Sequence, residues 1–219
     1  MIHPKYINVN RILGAMTFLI SFIVYFDTMA PSVSYWDCGE FIAVSYTLGV
    51  PHPPGSPLFL LLGRIASMLP ISEDIAFRVN LLSPLASAFS VLFLYFIIVQ
   101  LVNHWRGKIE TNTDALIAFG AGIVGSLTFA FTDSHWFNAV EAEVYAFSTF
   151  FTAIVVWLAL LWSEKADEKG NERYILIIAY MIGLATGLHL LNLLTIPFVA
   201  LLIYFKKYKF EWTLSLIHI

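Results

Sequence analysis

Two carboxylates three residues apart, Asp37 and Glu40, lie in a polar, aromatic and proline-rich stretch, Ser34 to Pro57, of an otherwise very apolar chain. On a helix, an i,i+3 spacing puts both acids on one face. Like charges that close repel, so one of the two should hold its proton more tightly. Such a pair suits general acid–base work on a hydroxyl or, with a metal, phosphate binding. Asp37 has a second reading, because Ser34-Tyr35-Trp36-Asp37 matches a capping box in which the acid satisfies helix amides. Further on, His52 is set among Pro51, Pro53, Pro54 and Pro57, which fix four φ angles. That run is either a rigid linker or a mount that holds His52 toward a phosphate.

Other candidates are scattered. Arg64 and Arg78 either snorkel to lipid headgroups or bind the phosphate of a lipid-linked substrate, where a planar fork is useful. A second polar stretch, Thr132 to Tyr145, adds Asp133, His135, Glu141 and Glu143. If Glu141 and Glu143 are helical they point to different faces, so at most one should meet a common cavity. Tyr145 and Trp136 read as interfacial belt residues. His189 and Asn192 form an i,i+3 pair that is either a satisfied polar contact between helices or a substrate contact. The single cysteine, Cys38, rules out an internal disulfide and a cysteine-rich metal site, and reads as a small apolar residue.

The elements that position these groups must be membrane helices. Of 219 residues 59% are hydrophobic and 12% charged, where soluble chains carry about a quarter charged. A net charge of -3 with no basic stripe argues against a nucleic-acid partner. Apolar segments at about 12–29, 76–102, 115–131 and 146–162 approach or reach the roughly 20 residues a bilayer needs. The segment 174–205 is too long for one span and is read as two short helices turning near 187–192, with Pro197 kinking the second. Residues 58–69 are too short to span and start well as a helix, with Ser56 as N-cap and Pro57 in the first turn. They are expected to lie along the membrane face. Lys5, Arg11, Arg106, Lys108, Lys206 and Lys207 place the connections they flank inside under the positive-inside rule. The expectation is an all-α polytopic bundle of about six spans plus a juxtamembrane helix. Its amino terminus is cytoplasmic, and every candidate above falls on the outer side.

Trp36 to Ala43, followed by Leu48 to Leu58, resembles the amino-terminal signature of a bacterial family of polytopic membrane proteins formerly of unknown function. That family is related to an animal transmembrane O-mannosyltransferase and belongs among the C-type glycosyltransferases. Ala139 to Tyr145 and Gly187 to Asn192 resemble its later motifs. The resemblance implies transfer of a hexose, mannose in the first instance, from a polyprenyl-phosphate donor to an acceptor hydroxyl, with inversion, at the outer face of the plasma membrane. It implies Asp37 as the base on the acceptor, with Glu40 beside it. The substrate-binding set is then His52, Arg64, Arg78, His135, Glu141, Glu143, His189 and Asn192. The partners are the lipid-linked sugar, an acceptor protein or glycan, and membrane lipid. No cofactor is assigned, although a divalent cation is compatible. The rival is a transporter or lipid flippase, which would place its acids nearer the midplane. The last six residues, 214–219, resemble the translated end of a sequencing adaptor. The glycosyltransferase-like part is therefore expected to be residues 1–213 of a longer chain.

Overall fold

A computed structural model describes residues 2–208, so the adaptor-like segment 214–219 lies outside the described residues. Every regular element among the described residues is helical. In order they are α1 (Pro4–Thr28), α2 (Cys38–Thr47), α3 (Pro57–Ser67), α4 (Ile75–Asn80), α5 (Leu82–Arg106), α6 (Asn112–Ala130), α7 (Asp133–Ala139), α8 (Val144–Lys165), α9 (Glu172–Thr186), a 3₁₀ turn (Leu190–Leu194) and α10 (Thr195–Lys207). The protein is an all-α polytopic helical bundle.

Five helical stretches are long and apolar enough to cross a bilayer: Pro4–Thr28, Ile75–Arg106, Asn112–Ala130, Val144–Lys165 and Leu190–Lys207. The expected sixth, α9, has 15 residues. It is about 22 Å long, short of the roughly 30 Å hydrocarbon core. The faces of α1 carry the membrane signature. Gly14, Thr17, Ser21 and Tyr25 are turned inward, while Ile12, Leu19 and Ile23 are exposed. In lipid, small and weakly polar residues pack helices together and the large apolar ones face the chains outside. The central helix α5 repeats the pattern, burying Ser83, Ala86, Ser87 and Ser90, and packs on α1, α6 and α8.

The second apolar segment forms the expected span, with a one-residue break at Leu81 between α4 and α5. Pro84 explains the break, since its ring would collide with the carbonyl four residues back, that of Asn80. Pro197 falls in the first turn of α10, just after the 3₁₀ turn, where a missing N–H is tolerated. The start of α3 is as read, with Pro57 at its first position, but Ser56 makes no cap bond. Its hydroxyl instead donates to the Leu188 carbonyl at 2.9 Å, while Leu58 N–H donates to the Gly187 carbonyl at 2.9 Å. The α9 exit is thereby tied to the α3 start. Gly63 lets α3 lie against α2: a Cβ there would stand 2.3 Å from the Ser45 hydroxyl.

The two acid-bearing connections, α1–α2 and α7–α8, meet at one end of the bundle. Ala30 N–H donates to the Val140 carbonyl at 2.8 Å, which joins the α1–α2 connection to the α7–α8 connection. At the opposite end the chain start pairs with the α5–α6 turn, His3 N–H donating to the Ile109 carbonyl.

Candidate active site

Asp37 occupies the N-cap position of α2 with φ -76° and ψ -6°, and its carboxylate takes no helix amide. The capping-box reading therefore fails. The helix begins one residue after the acid, and the acid's backbone is already helical instead of in the extended region that capping needs. Asp37 instead projects into solvent, its side chain 58% exposed. The residue before it, Trp36, has φ +60°. A left-handed backbone is a genuine outlier for so bulky a residue and costs on the order of 1–3 kcal/mol. Its indole is 83% exposed.

Glu40, in the first turn of α2, holds His52 by two bonds. Its Oε1 accepts the His52 backbone N–H at 2.8 Å, and its Oε2 lies 2.7 Å from Nδ1 of the ring. With Nδ1 carrying its proton toward the carboxylate, Nε2 is the nitrogen that faces outward. That atom lies 3.9 Å from Asp37 Oδ2. The side-chain bond from the imidazole holds the Glu40 carboxyl below its ordinary range, and the same bond raises the His52 ring above 6.5. Glu40 thus supports the loop and orients the ring, which is what the stiff proline run alone left open. The donor atoms of Asp37, Glu40 and His52 all lie within 4.8 Å of one another, so these three could hold a cation.

The second pair of acids is built differently. Glu141 and Glu143 lie between α7 and α8, where Glu143 N–H donates to the Glu141 carbonyl at 2.8 Å. They are not helical, so the expectation of opposite faces is overturned: both line one cleft of about 200 Å³ together with Asp37, Trp36, Asn138 and Tyr145. The backbone can leave the helix because other segments take up its polar groups. Ala142 N–H donates to Asn80 Oδ1 at 3.1 Å, and Val140 accepts from Ala30. Glu143 is 7% exposed and accepts from Val144 N–H at the start of α8, with the Cys38 thiol 3.9 Å away. Burial pushes its carboxyl up to about 7, with the charges of Asp37 and Glu141 adding to the rise. Burial likewise pushes the Cys38 thiol up to about 12, so it stays an unreactive thiol.

The remaining candidates separate from this cluster. His135 is buried, its ring 4.3 Å from Phe129 and edge-on to Tyr25, and burial lowers its pKa to about 4. It is a neutral core residue outside the cleft. Arg64 donates to the Tyr46 carbonyl at 2.7 Å and stacks on that ring, 5.4 Å from the centroid. It therefore closes the carboxyl end of α2, about 13 Å along the helix from Asp37. Arg78 donates to the carbonyls of Ser67, Leu69, Glu73 and Asp74, which finish α3 and its following turn. Asn192 is fully engaged: its amide donates to Ala185 and His189 carbonyls and its Oδ1 accepts from Thr152. His189 accepts from Leu191 N–H and lies against Tyr145, with ring centroids 5.1 Å apart, so it reaches the rim of the cleft.

Sequence reasoning missed Asn80. It is fully buried at the α4–α5 break, and its amide donates to the Ala30 and Ser32 carbonyls at 2.8 and 2.9 Å. With the Ala142 bond, one side chain ties both acid-bearing loops together. Its signal was present: an amide inside an apolar segment, four residues before a proline.

Known proteins match this arrangement along the sequence. A protein O-mannosyl-transferase tmem260 of Dictyostelium discoideum is 30% identical over 217 residues, covering 92% of this chain and 24% of that protein. A protein O-mannosyl-transferase TMEM260 of Mus musculus is 29% identical over 162 residues, covering 74% of this chain and 21% of that protein. The chain thus spans about a quarter of the length of these curated relatives. No solved structure matches. The family model for the protein O-mannosyl-transferase TMEM260 N-terminal domain matches residues 37–212, from the exposed aspartate to beyond the last helix, and this multi-pass membrane chain belongs to that family.

Proposed function

We propose that this chain carries the catalytic end of a membrane glycosyltransferase that moves mannose from a polyprenyl-phosphate donor to a protein hydroxyl. The observation that carries the reading is Asp37: a solvated carboxylate at the mouth of a cleft, unspent on its own helix, with an imidazole oriented beside it. Relatives that bear the name protein O-mannosyl-transferase support the sugar and the acceptor class.

In this reaction the acceptor O–H gives its proton to Asp37 as its oxygen attacks the anomeric carbon. The bond from that carbon to the phosphate oxygen breaks, the phosphate leaves with the electron pair, and the carbon inverts. Phosphate is already a good leaving group, so the protein must mainly position the acceptor and take its proton. His52, raised in pKa and facing Asp37, supplies the positive charge nearest the base, and it offsets charge on the departing phosphate. A cation held by Asp37, Glu40 and His52 would supply the same neutralisation. Arg64 and Arg78 serve the ends of α2 and α3. The loop-bearing end of the bundle is the outer face of the plasma membrane, with the amino terminus cytoplasmic.

The test is Asp37→Asn in the full-length protein, assayed for mannose transfer from lipid phosphate to a serine/threonine peptide. Transfer should be lost while membrane insertion and expression are kept; full retained transfer would falsify the assignment.

A further inference from the structure

The cleft beside Asp37 is unlike a phosphate site. Three carboxylates line it, Asp37, Glu141 and Glu143, and no lysine or arginine does. Its walls are aromatic, with Trp36 and Tyr145 83% and 43% exposed. Glu141 is 5% exposed, and its Oε1 is buried without any hydrogen-bond partner. A buried acceptor with nothing to accept from is costly, on the order of 1–3 kcal/mol, so such a group marks a place where a donor arrives. At about 200 Å³ the space is below the roughly 300 Å³ at which drug-sized pockets begin, which leaves room for one ring.

We propose that this cleft is a pyranose subsite: a neutral hexose ring lies against Trp36 and Tyr145 and donates its hydroxyls to Glu141 and Glu143. Carboxylates accept strongly from O–H donors, and the negative face of an aromatic ring suits the C–H-bearing face of a sugar. A phosphate would be repelled here. The lipid phosphate therefore lies outside the cleft, toward His52, with Asp37 on the boundary between ring and phosphate. Trp36, whose backbone is left-handed, stands at the rim of the cleft. Burial that raises the Glu143 carboxyl toward 7 also makes it able to donate to a ring oxygen near neutral pH. The subsite deepens the transfer reaction proposed above and rests on it for the identity of the sugar.

The test is equilibrium binding to the full-length protein in detergent with four probes: polyprenyl-phosphate mannose, the same polyprenyl phosphate without sugar, a mannosyl-serine peptide, and choline. The variants are Glu141→Gln and Trp36→Asn, the latter chosen because asparagine tolerates the left-handed backbone. Tyr35→Leu, outside the cleft, is the control. Wild type should bind a mannosylated probe at least about tenfold more tightly than bare lipid phosphate, and each variant should erase about tenfold of that difference while leaving bare phosphate unchanged. Loss on the donor lipid assigns the ring to the donor, and loss confined to the mannosyl peptide assigns it to the product; either supports the subsite. Equal weakening of sugared and bare lipid, no effect of either variant, or saturable choline binding lost in Glu141→Gln would each overturn it. If wild type binds mannose-bearing probes through Glu141 but transfers nothing, the reaction fails and the subsite stands. If transfer proceeds with Glu141→Gln and Trp36→Asn unaffected, the reverse holds.

Discussion

The two acid-bearing loops use the same residue types in opposite surroundings. In the first, Glu40 and His52 are solvated and satisfied by one another, so each favours the other's charged form. In the second, Glu141 and Glu143 are buried, and Glu143 is driven toward its neutral form. Asp37 stands where the two meet, 3.9 Å from the His52 ring and lining the cleft with both buried acids. Sequence spacing favours the i,i+3 pair over the i,i+2 pair, yet both pairs bring an acid to the same site. Burial separates them into a charged, proton-accepting side and a side able to hold hydroxyls.

The largest effect expected from breaking this division is at Asp37. Replacing a general base costs about 10²–10⁴-fold in rate. Asp37→Asn should lose transfer by that factor, while Asp133→Asn, an acid of the second polar stretch outside the cleft, should keep it. Initial rates with saturating donor decide the matter, and a similar loss in both would end the division. Next comes Glu143. Its folded pKa lies near 7, above the ordinary 4.5, so the folded state binds more protons between those values. Stability is therefore highest below pH 4.5 and falls as pH rises through 7. The penalty is on the order of 3 kcal/mol. Glu143→Gln cannot ionise and should flatten this fall in thermal midpoints measured from pH 4 to 9. A wild-type profile already flat would show that Glu143 is not desolvated.

The fold was readable where a local rule sufficed. Pro57 marks the start of α3, and the apolar runs mark the long helices, because length and hydropathy are properties of a continuous segment. The acids at 37, 40, 141 and 143 were visible as costly polarity in an apolar chain. What could not be read was anything set by distant partners. Asp37 looked like part of a capping box because the start of α2 lies three residues later than that box places it. Glu141 and Glu143 looked helical because Asn80, more than sixty residues upstream, takes the Ala142 amide. His135 looked available because its burial against Tyr25 and Phe129 depends on α1 and α6. Arg64 and Arg78 looked like phosphate ligands because the carbonyls they satisfy belong to helix ends not yet placed.

Asn80 tests whether the two loops form one unit. Asn80→Ala removes three hydrogen bonds at a fully buried position and leaves the Ala30, Ser32 and Ala142 groups unmet. The loss should be about 2 kcal/mol. Hydrogen exchange should then speed in 30–37 and 140–144 together, and protection lost in only one stretch would mean that the loops are anchored separately.

The smallest effect sharpens the solvated side. Glu40→Gln removes the charge that holds the His52 ring without emptying any buried space, since both groups are open to water. Thermal stability should barely move, as exposed pairs contribute little. The titration should move instead. In wild type, the ring bond to Glu40 keeps His52 above 6.5, so the pair's contribution is complete below that value and fades as pH rises through the folded one. On the acid side, Glu40 lies below its ordinary 4.5, so its contribution is present above 4.5 and fades only as pH falls through the lowered value. In the variant the ring should titrate lower, and the alkaline limb of the transfer profile should shift down with it. An NMR titration of His52 that stays put would mean that Asp37, the farther carboxylate, sets the ring's charge. The orienting role would then pass from Glu40 to the base itself.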